Sequence, residues 1–184
     1  MQSEYAGDDG CPIVSWFRKH LRAVACCFDS GLPEASLTSL YSGIDTLGLL
    51  AAPPGVNEAT RTTFEDWCNK YVVTRLKSVD GKSLTALDLY GARCGILHTS
   101  RSVSSLGWEG VAREICYQFQ GQHGVNLGLN AKREPAMLDI AHFAIAFTKG
   151  GTAFIRDLNR DLTRLETARA RAQSFFRWGT LCGA

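Results

Sequence analysis

Arg93 and His98 have the side chains and spacing for phosphodiester chemistry. They stand with four residues between them in the stretch Leu87-Asp88-Leu89-Tyr90-Gly91-Ala92-Arg93-Cys94-Gly95-Ile96-Leu97-His98. An arginine stays charged at any physiological pH and presents a planar fork that fits a phosphate, while a histidine with a pKa near ~6.5 exchanges a proton at neutrality. RNA carries its own nucleophile. Its cleavage needs a base for the 2′-OH proton, an acid for the 5′-oxygen and a cation on the phosphorane, and no metal. One histidine does not easily serve both proton transfers at once, so two copies of the site brought together would supply the second imidazole. The same residues have plainer uses. His98 at a helix C-terminus would meet the negative end of the dipole, and Arg93 would pair with Asp45 or Asp88 as part of the framework. Cys94 and His98, four apart, also permit a thiol–imidazole nucleophile or half a metal site, but no third ligand or orienting acid stands at a recognisable spacing. Neither a metal nor another cofactor is expected.

The elements that must carry these residues read as helices. Over 12–28, Ile13, Phe17, Leu21, Val24 and Phe28 fall at three- and four-residue steps, with Pro12 in the first turn and Gly31 as the stop. A second helix after Pro33 carries Leu37, Leu40, Tyr41, Ile44, Leu47 and Leu50 on a broad apolar face and ends before Pro53-Pro54-Gly55. Asn57 or Thr60 caps a third helix through Phe64, Trp67, Cys68, Tyr71 and Val72, and Val79-Asp80-Gly81-Lys82 is a turn. Ser83 then caps the helix bearing Arg93 and His98, with Leu84, Leu87, Tyr90 or Gly91, Cys94 and Leu97 or His98 at helical spacing. On an ideal helix residues five apart differ by ~140° in direction, so this pair needs a distortion at Gly95, a frayed end or the reach of the arginine to cooperate.

Beyond His98 the stretch 99–107 is serine-rich and reads as a loop. Ile115, Tyr117 and Phe119 then alternate, Gly121-Gln122-His123-Gly124 supplies a turn, and Val125, Leu127 and Leu129 alternate again, the pattern of a β-hairpin within an insert over 108–131. Glu134-Pro135 opens a helix through Met137 to Phe147, which Gly150-Gly151 interrupts before it resumes at Phe154. A last helix spans 160–178. The C-terminal segment's Arg156, Arg160, Arg164, Arg169, Arg171 and Arg177, mixed with Asp157, Asp161 and Glu166, fit a solvated face better than an RNA-binding one.

The 184 residues are enough for one domain over 11–184, preceded by a loose polar tail over 1–10. Seven cysteines form an odd set without a CxxC pair, which fits reduced thiols in the cytoplasm. No membrane span is expected, and the tail is not a signal peptide. A net charge of +2 is too small for a large positive field, so RNA binding would have to be local. His20, His123 and His142 are isolated, and Trp108 lies in a glycine-flanked stretch near the proposed site.

A helical bundle whose late helix carries an arginine, four residues and a histidine resembles the HEPN superfamily, small all-α domains that include many prokaryotic ribonucleases of toxin and defence systems. The order of elements from Pro12 to His98 and the helices after Pro135 carry the likeness beyond the motif. The resemblance implies an all-α, HEPN-like bundle of five to six helices with a small hairpin insert, acting as a homodimeric endoribonuclease without metal or other cofactor. It implies Arg93 and His98 as the catalytic pair, with Asp45 on an earlier helix as a supporting residue. Cys94 stands where the family commonly has asparagine, aspartate or histidine. Ser100 stands where toxins paired with a nucleotidyltransferase antitoxin often carry a tyrosine, so control by modification of that tyrosine is not expected here. Arg101 can contact phosphate or simply solvate its loop. An antitoxin or defence-system protein is the implied partner, and a non-catalytic bundle that binds protein or nucleotide is the alternative.

Overall fold

The computed structural model describes residues 11–99, 104–123 and 132–175, and of His98, Thr99, Gln122, His123 and Phe175 the backbone alone. The tail over 1–10, the second half of the expected hairpin and the residues after 175 lie outside the described residues. Seven helices and a three-stranded sheet make up the rest: α1 (Pro12–Asp29), α2 (Pro33–Ala51), α3 (Arg61–Tyr71), α4 (Ala86–Thr99), α5 (Ser105–Trp108), β1 (Ile115–Phe119), β2 (Gln122–His123), β3 (Ala136–Asp139), α6 (Ile140–Leu158) and α7 (Leu162–Phe175).

Local signals set most of the helix ends. After α1, Gly31 takes φ +71°, the amide of Leu32 bonds the Cys27 carbonyl at 2.9 Å and that of Gly31 bonds Phe28 at 3.1 Å, a Schellman closure. Thr60, not Asn57, caps α3, exchanging bonds with Thr63 in a capping box. Helix α4 starts from Thr85 rather than Ser83. The Thr85 amide and hydroxyl donate to Asp88 Oδ2 at 2.9 and 2.8 Å, and the Asp88 amide returns a bond to Thr85 Oγ1. The other Asp88 oxygen takes the Arg113 amide at 2.6 Å, which ties the start of α4 to the chain entering β1.

Helix α2 is the centre of the bundle and packs on α1, α3, α4, α6 and α7. Leu40, Tyr41, Ile44 and Leu47 on it are fully buried, in one core with Phe64 and Trp67 of α3 and Phe143, Phe147 and Phe154 of α6, and Tyr41 meets the rings of Phe64 and Phe143. Glycines let the backbones close in. A Cβ at Gly48 would lie 2.6 Å from the Thr63 carbonyl oxygen, and one at Gly150 would lie 2.6 Å from that of Tyr71. Gly150 and Gly151 therefore do not interrupt α6, which runs unbroken through them; helix packing outweighs their poor intrinsic propensity.

The expected hairpin is realised differently. Among the described residues β1 pairs antiparallel with Gln122 and His123 of β2, and the turn is Gln120-Gly121, both at positive φ (49° and 75°), as a two-residue type I′ connection requires. Its other neighbour is β3, in parallel, with Ile115 opposite Ala136 and Gln118 opposite Asp139. Ala136–Asp139 is thus a strand and not the first turn of a helix; α6 begins at Ile140 with Asp139 capping through its carboxylate to the His142 amide. Inside the serine-rich stretch Ser104 precedes the short helix α5, which ends in Trp108, half-exposed.

Candidate functional site

Arg93 projects from α4 toward α2 and meets Asp45. Its Nε and Nη2 both donate to Asp45 Oδ2, at 2.9 and 2.8 Å, with the side chains 18% and 15% exposed. Of the two acids that sequence offered as partners, Asp45 holds the arginine, while Asp88 is spent on the helix cap and the Arg113 amide. Burial alone would lower the Arg93 pKa, but the bonds and charge of Asp45 outweigh it and raise it, so the guanidinium is fixed as a cation. A fork gripped on one edge is also fixed in orientation.

Tyr90, one turn earlier on α4, forms the wall of this site. The Arg93 Cζ lies 5.9 Å from the centre of its ring, the Arg61 Cζ from α3 lies at the same distance, and Phe64 meets the ring edge-on at 5.5 Å. Arg61 in turn pairs with Glu65 through Nε at 2.6 Å. Burial and the neighbouring Cys94 push the Tyr90 hydroxyl above its usual range. Cys94 is half-exposed beside it.

The buried face of α4 is turned by about one position from the one read in sequence. Leu89, Ala92 and Gly95 face the core, whereas Leu87, Tyr90 and Cys94 are only half-buried. Small residues decide this: a Cβ on Gly91 would sit 2.9 Å from that of Ala112, so the glycine-alanine side of the helix admits the closest neighbours. Rotation in this sense leaves Tyr90, Arg93 and Cys94 at the rim. Sequence offered Tyr90 or Gly91 for the core stripe, of which Gly91 is the buried one, and attached no role to Arg61; the three-residue step from Tyr90 to Arg93 was the available hint for the first, and no local signal links α3 to α4 for the second.

His98 lies within the last turn of α4, which stays helical through Thr99, so the backbone makes no break at Gly95. Over five residues the direction changes by ~140° and the axis advances by roughly 7.5 Å. The His98 side chain, Ser100 and Arg101 lie outside the described residues.

Elsewhere, ionisable groups serve the framework. His20 is stacked on Trp16 at 4.9 Å and its Nε2 is 2.7 Å from the Ser39 carbonyl oxygen; burial, opposed by that bond, lowers its pKa. Arg171, read in sequence as part of a solvated face, instead donates to the carbonyls of Leu49, Ala52 and Pro53 at 3.1, 2.5 and 2.5 Å, closing the C-terminal end of α2. Among the described residues no helix is long and apolar enough to cross a membrane.

No family model, curated protein or solved structure matches the chain. What the site does must be argued from its own geometry.

Proposed function

We propose that the protein is a metal-independent endoribonuclease of HEPN type, homodimeric and cytoplasmic, acting in a toxin or phage-defence setting under an antitoxin or defence-system partner. The observation that carries this assignment is the pair of hydrogen bonds that Arg93 donates to one oxygen of Asp45, which holds a permanent cation in a set orientation at the bundle rim, on the helix whose last turn carries His98. A pre-oriented guanidinium stabilises the extra negative charge of a phosphorane without reorganising when that charge appears. His98 removes the 2′-OH proton, the 2′-oxygen bonds to phosphorus, and the P–O5′ bond breaks as the leaving oxygen is protonated by the imidazole of a second subunit. The products are a 2′,3′-cyclic phosphate and a 5′-hydroxyl.

Labelled RNA incubated with the purified protein in EDTA tests it. Arg93→Ala and His98→Ala are each expected to slow cleavage by roughly 10²-fold or more, the usual size of losing a general acid–base or a charge-stabilising donor. Cleavage at the parental rate by both variants rejects the assignment. A second reading, a non-catalytic bundle that binds protein or nucleotide, draws on the same contact: Asp45 already neutralises Arg93, as in a framework ion pair, and Cys94 lacks the polar reach of the residue usual at that place. Folded protein that binds but never cleaves RNA would favour it.

A further inference from the structure

We propose that Arg61 and Tyr90 form a second RNA-backbone subsite beside Arg93, in which Arg61 takes the neighbouring phosphate of a single strand and the exposed part of the Tyr90 ring, beside the two guanidinium groups, meets a base. This subsite rests on the ribonucleolytic assignment and names the form of its substrate, a single-stranded segment.

Three observations converge on it. Two guanidinium groups from different helices flank one tyrosine, each with Cζ 5.9 Å from the ring centre, although the residues are far apart in sequence. Phe64 holds the ring from its edge at 5.5 Å, and Tyr90 is only half-buried, so the platform is rigid and reachable. Arg61 is largely exposed, with 46% of its side chain accessible, and only its Nε is engaged by Glu65. It sits in the first turn of α3, where the helix dipole disfavours a cation, and within that helix the pair with Glu65 one turn on is what offsets this. A planar cation next to an aromatic face is the arrangement that single-stranded nucleic acid uses, the ring stacking on a base and the fork meeting a phosphate. Duplex RNA, with its bases already stacked on each other, has no base to offer this ring.

Binding to intact protein measures the subsite independently of turnover. A fluorescent single-stranded oligoribonucleotide would be titrated at several salt concentrations with the parent, with Arg61→Ala/Glu65→Ala, which removes the cation without leaving Glu65 unpaired, and with Tyr90→Leu. Loss of one phosphate contact to a single strand lowers the slope of log affinity against log salt by about 0.7, and affinity is expected to fall roughly three- to tenfold for the double variant. For Tyr90→Leu, affinity should fall by a similar factor with the salt slope unchanged, because stacking and not charge is lost. Thermal unfolding of each variant shows that the fold is intact. Should Arg61→Lys, which keeps the charge, restore the salt slope in the Glu65-containing protein while the double variant lacks it, the phosphate role stands. Parental affinity and slope in the double variant overturn the subsite even if Arg93→Ala abolishes cleavage. A parent that binds no single-stranded RNA overturns it as well, and a parent that binds through Arg61 yet cleaves nothing in EDTA retains the subsite while removing the nuclease assignment.

Discussion

Asp45 holds Arg93 by two donors on one oxygen, which settles the arginine's direction more tightly than a single bond would and fixes its charge. The sequence offered Asp45 and Asp88 equally. Packing separated them, because Asp88 faces inward at 2% exposure, where the Thr85 cap and the Arg113 amide absorb both of its oxygens. His20 shows the same division between a residue's chemistry and its use. Neutral histidine fits the space among Trp16, Phe147 and the Ser39 carbonyl, and protonating it there costs more than in the unfolded chain. Its folded pKa is depressed, so the unfolded chain takes up its proton first. Stability is therefore expected to be full above about pH 6.5 and to fall as the pH drops through that value toward the lower folded pKa. In His20→Gln, which keeps a donor for Ser39, the melting temperature should vary less between pH 7 and pH 5 than in the parent. An equal dependence would assign the effect to other groups.

Helices α3 and α6 meet at backbone distance, and this contact is where element packing is most exposed to test. At Gly150 an added Cβ would lie 2.6 Å from the Tyr71 carbonyl oxygen, and a carbonyl cannot rotate aside as a side chain can. Alanine gains about 1 kcal/mol of helix propensity over glycine, whereas overpacking costs about 1–3 kcal/mol. Gly150→Ala is expected to be destabilising overall, on the order of 1 kcal/mol, which lowers the melting temperature of a chain of this size by about 2–4 °C. A variant that melts higher than the parent would show that α6 has room to move. The glycine pair looks like a break when only propensity is considered, and like a requirement once the neighbouring helix is in place. Helix α4 shows the same at another place: with glycine and alanine spread through 86–95 its sequence has several plausible faces, and its packing, with Gly91 close against Ala112, leaves Tyr90 and Arg93 at the rim.

In the whole molecule the helical continuity of α4 through Thr99 bears directly on how the proposed site works. With Arg93 and His98 on different sides of one helix, cooperation across two subunits is the economical arrangement, and it makes a prediction that one protomer alone does not. Parental protein mixed with an excess of His98→Ala and left to exchange subunits should lose rate per parental protomer, because each heterodimer holds only one of the two imidazoles that the proton transfers use. Rate per protomer should also fall on dilution through the dimer dissociation range. A rate per parental protomer unchanged by the excess variant would place the whole reaction within one chain. Arg171 contributes at this scale too, since its bonds to Leu49, Ala52 and Pro53 join α7 to the end of the central helix.

The sequence by itself determined the helical class, the extent of α1, α2 and α3, and the placing of Arg93 and His98 on one helix. Amphipathic spacing, proline at helix starts and a Thr60 cap are local signals, and they act within a few residues of where they are written. Tertiary structure alone decided the partner of Arg93, the face of α4, the meeting of Arg61 with Tyr90 and the parallel pairing of β1 with β3. Each of these joins residues from separate elements, and none has a periodicity to betray it. Parallel strands in particular are linked by a crossover, so Ala136–Asp139 has no turn signal to announce its partner, and its short apolar run beside Pro135 reads equally well as the first turn of α6.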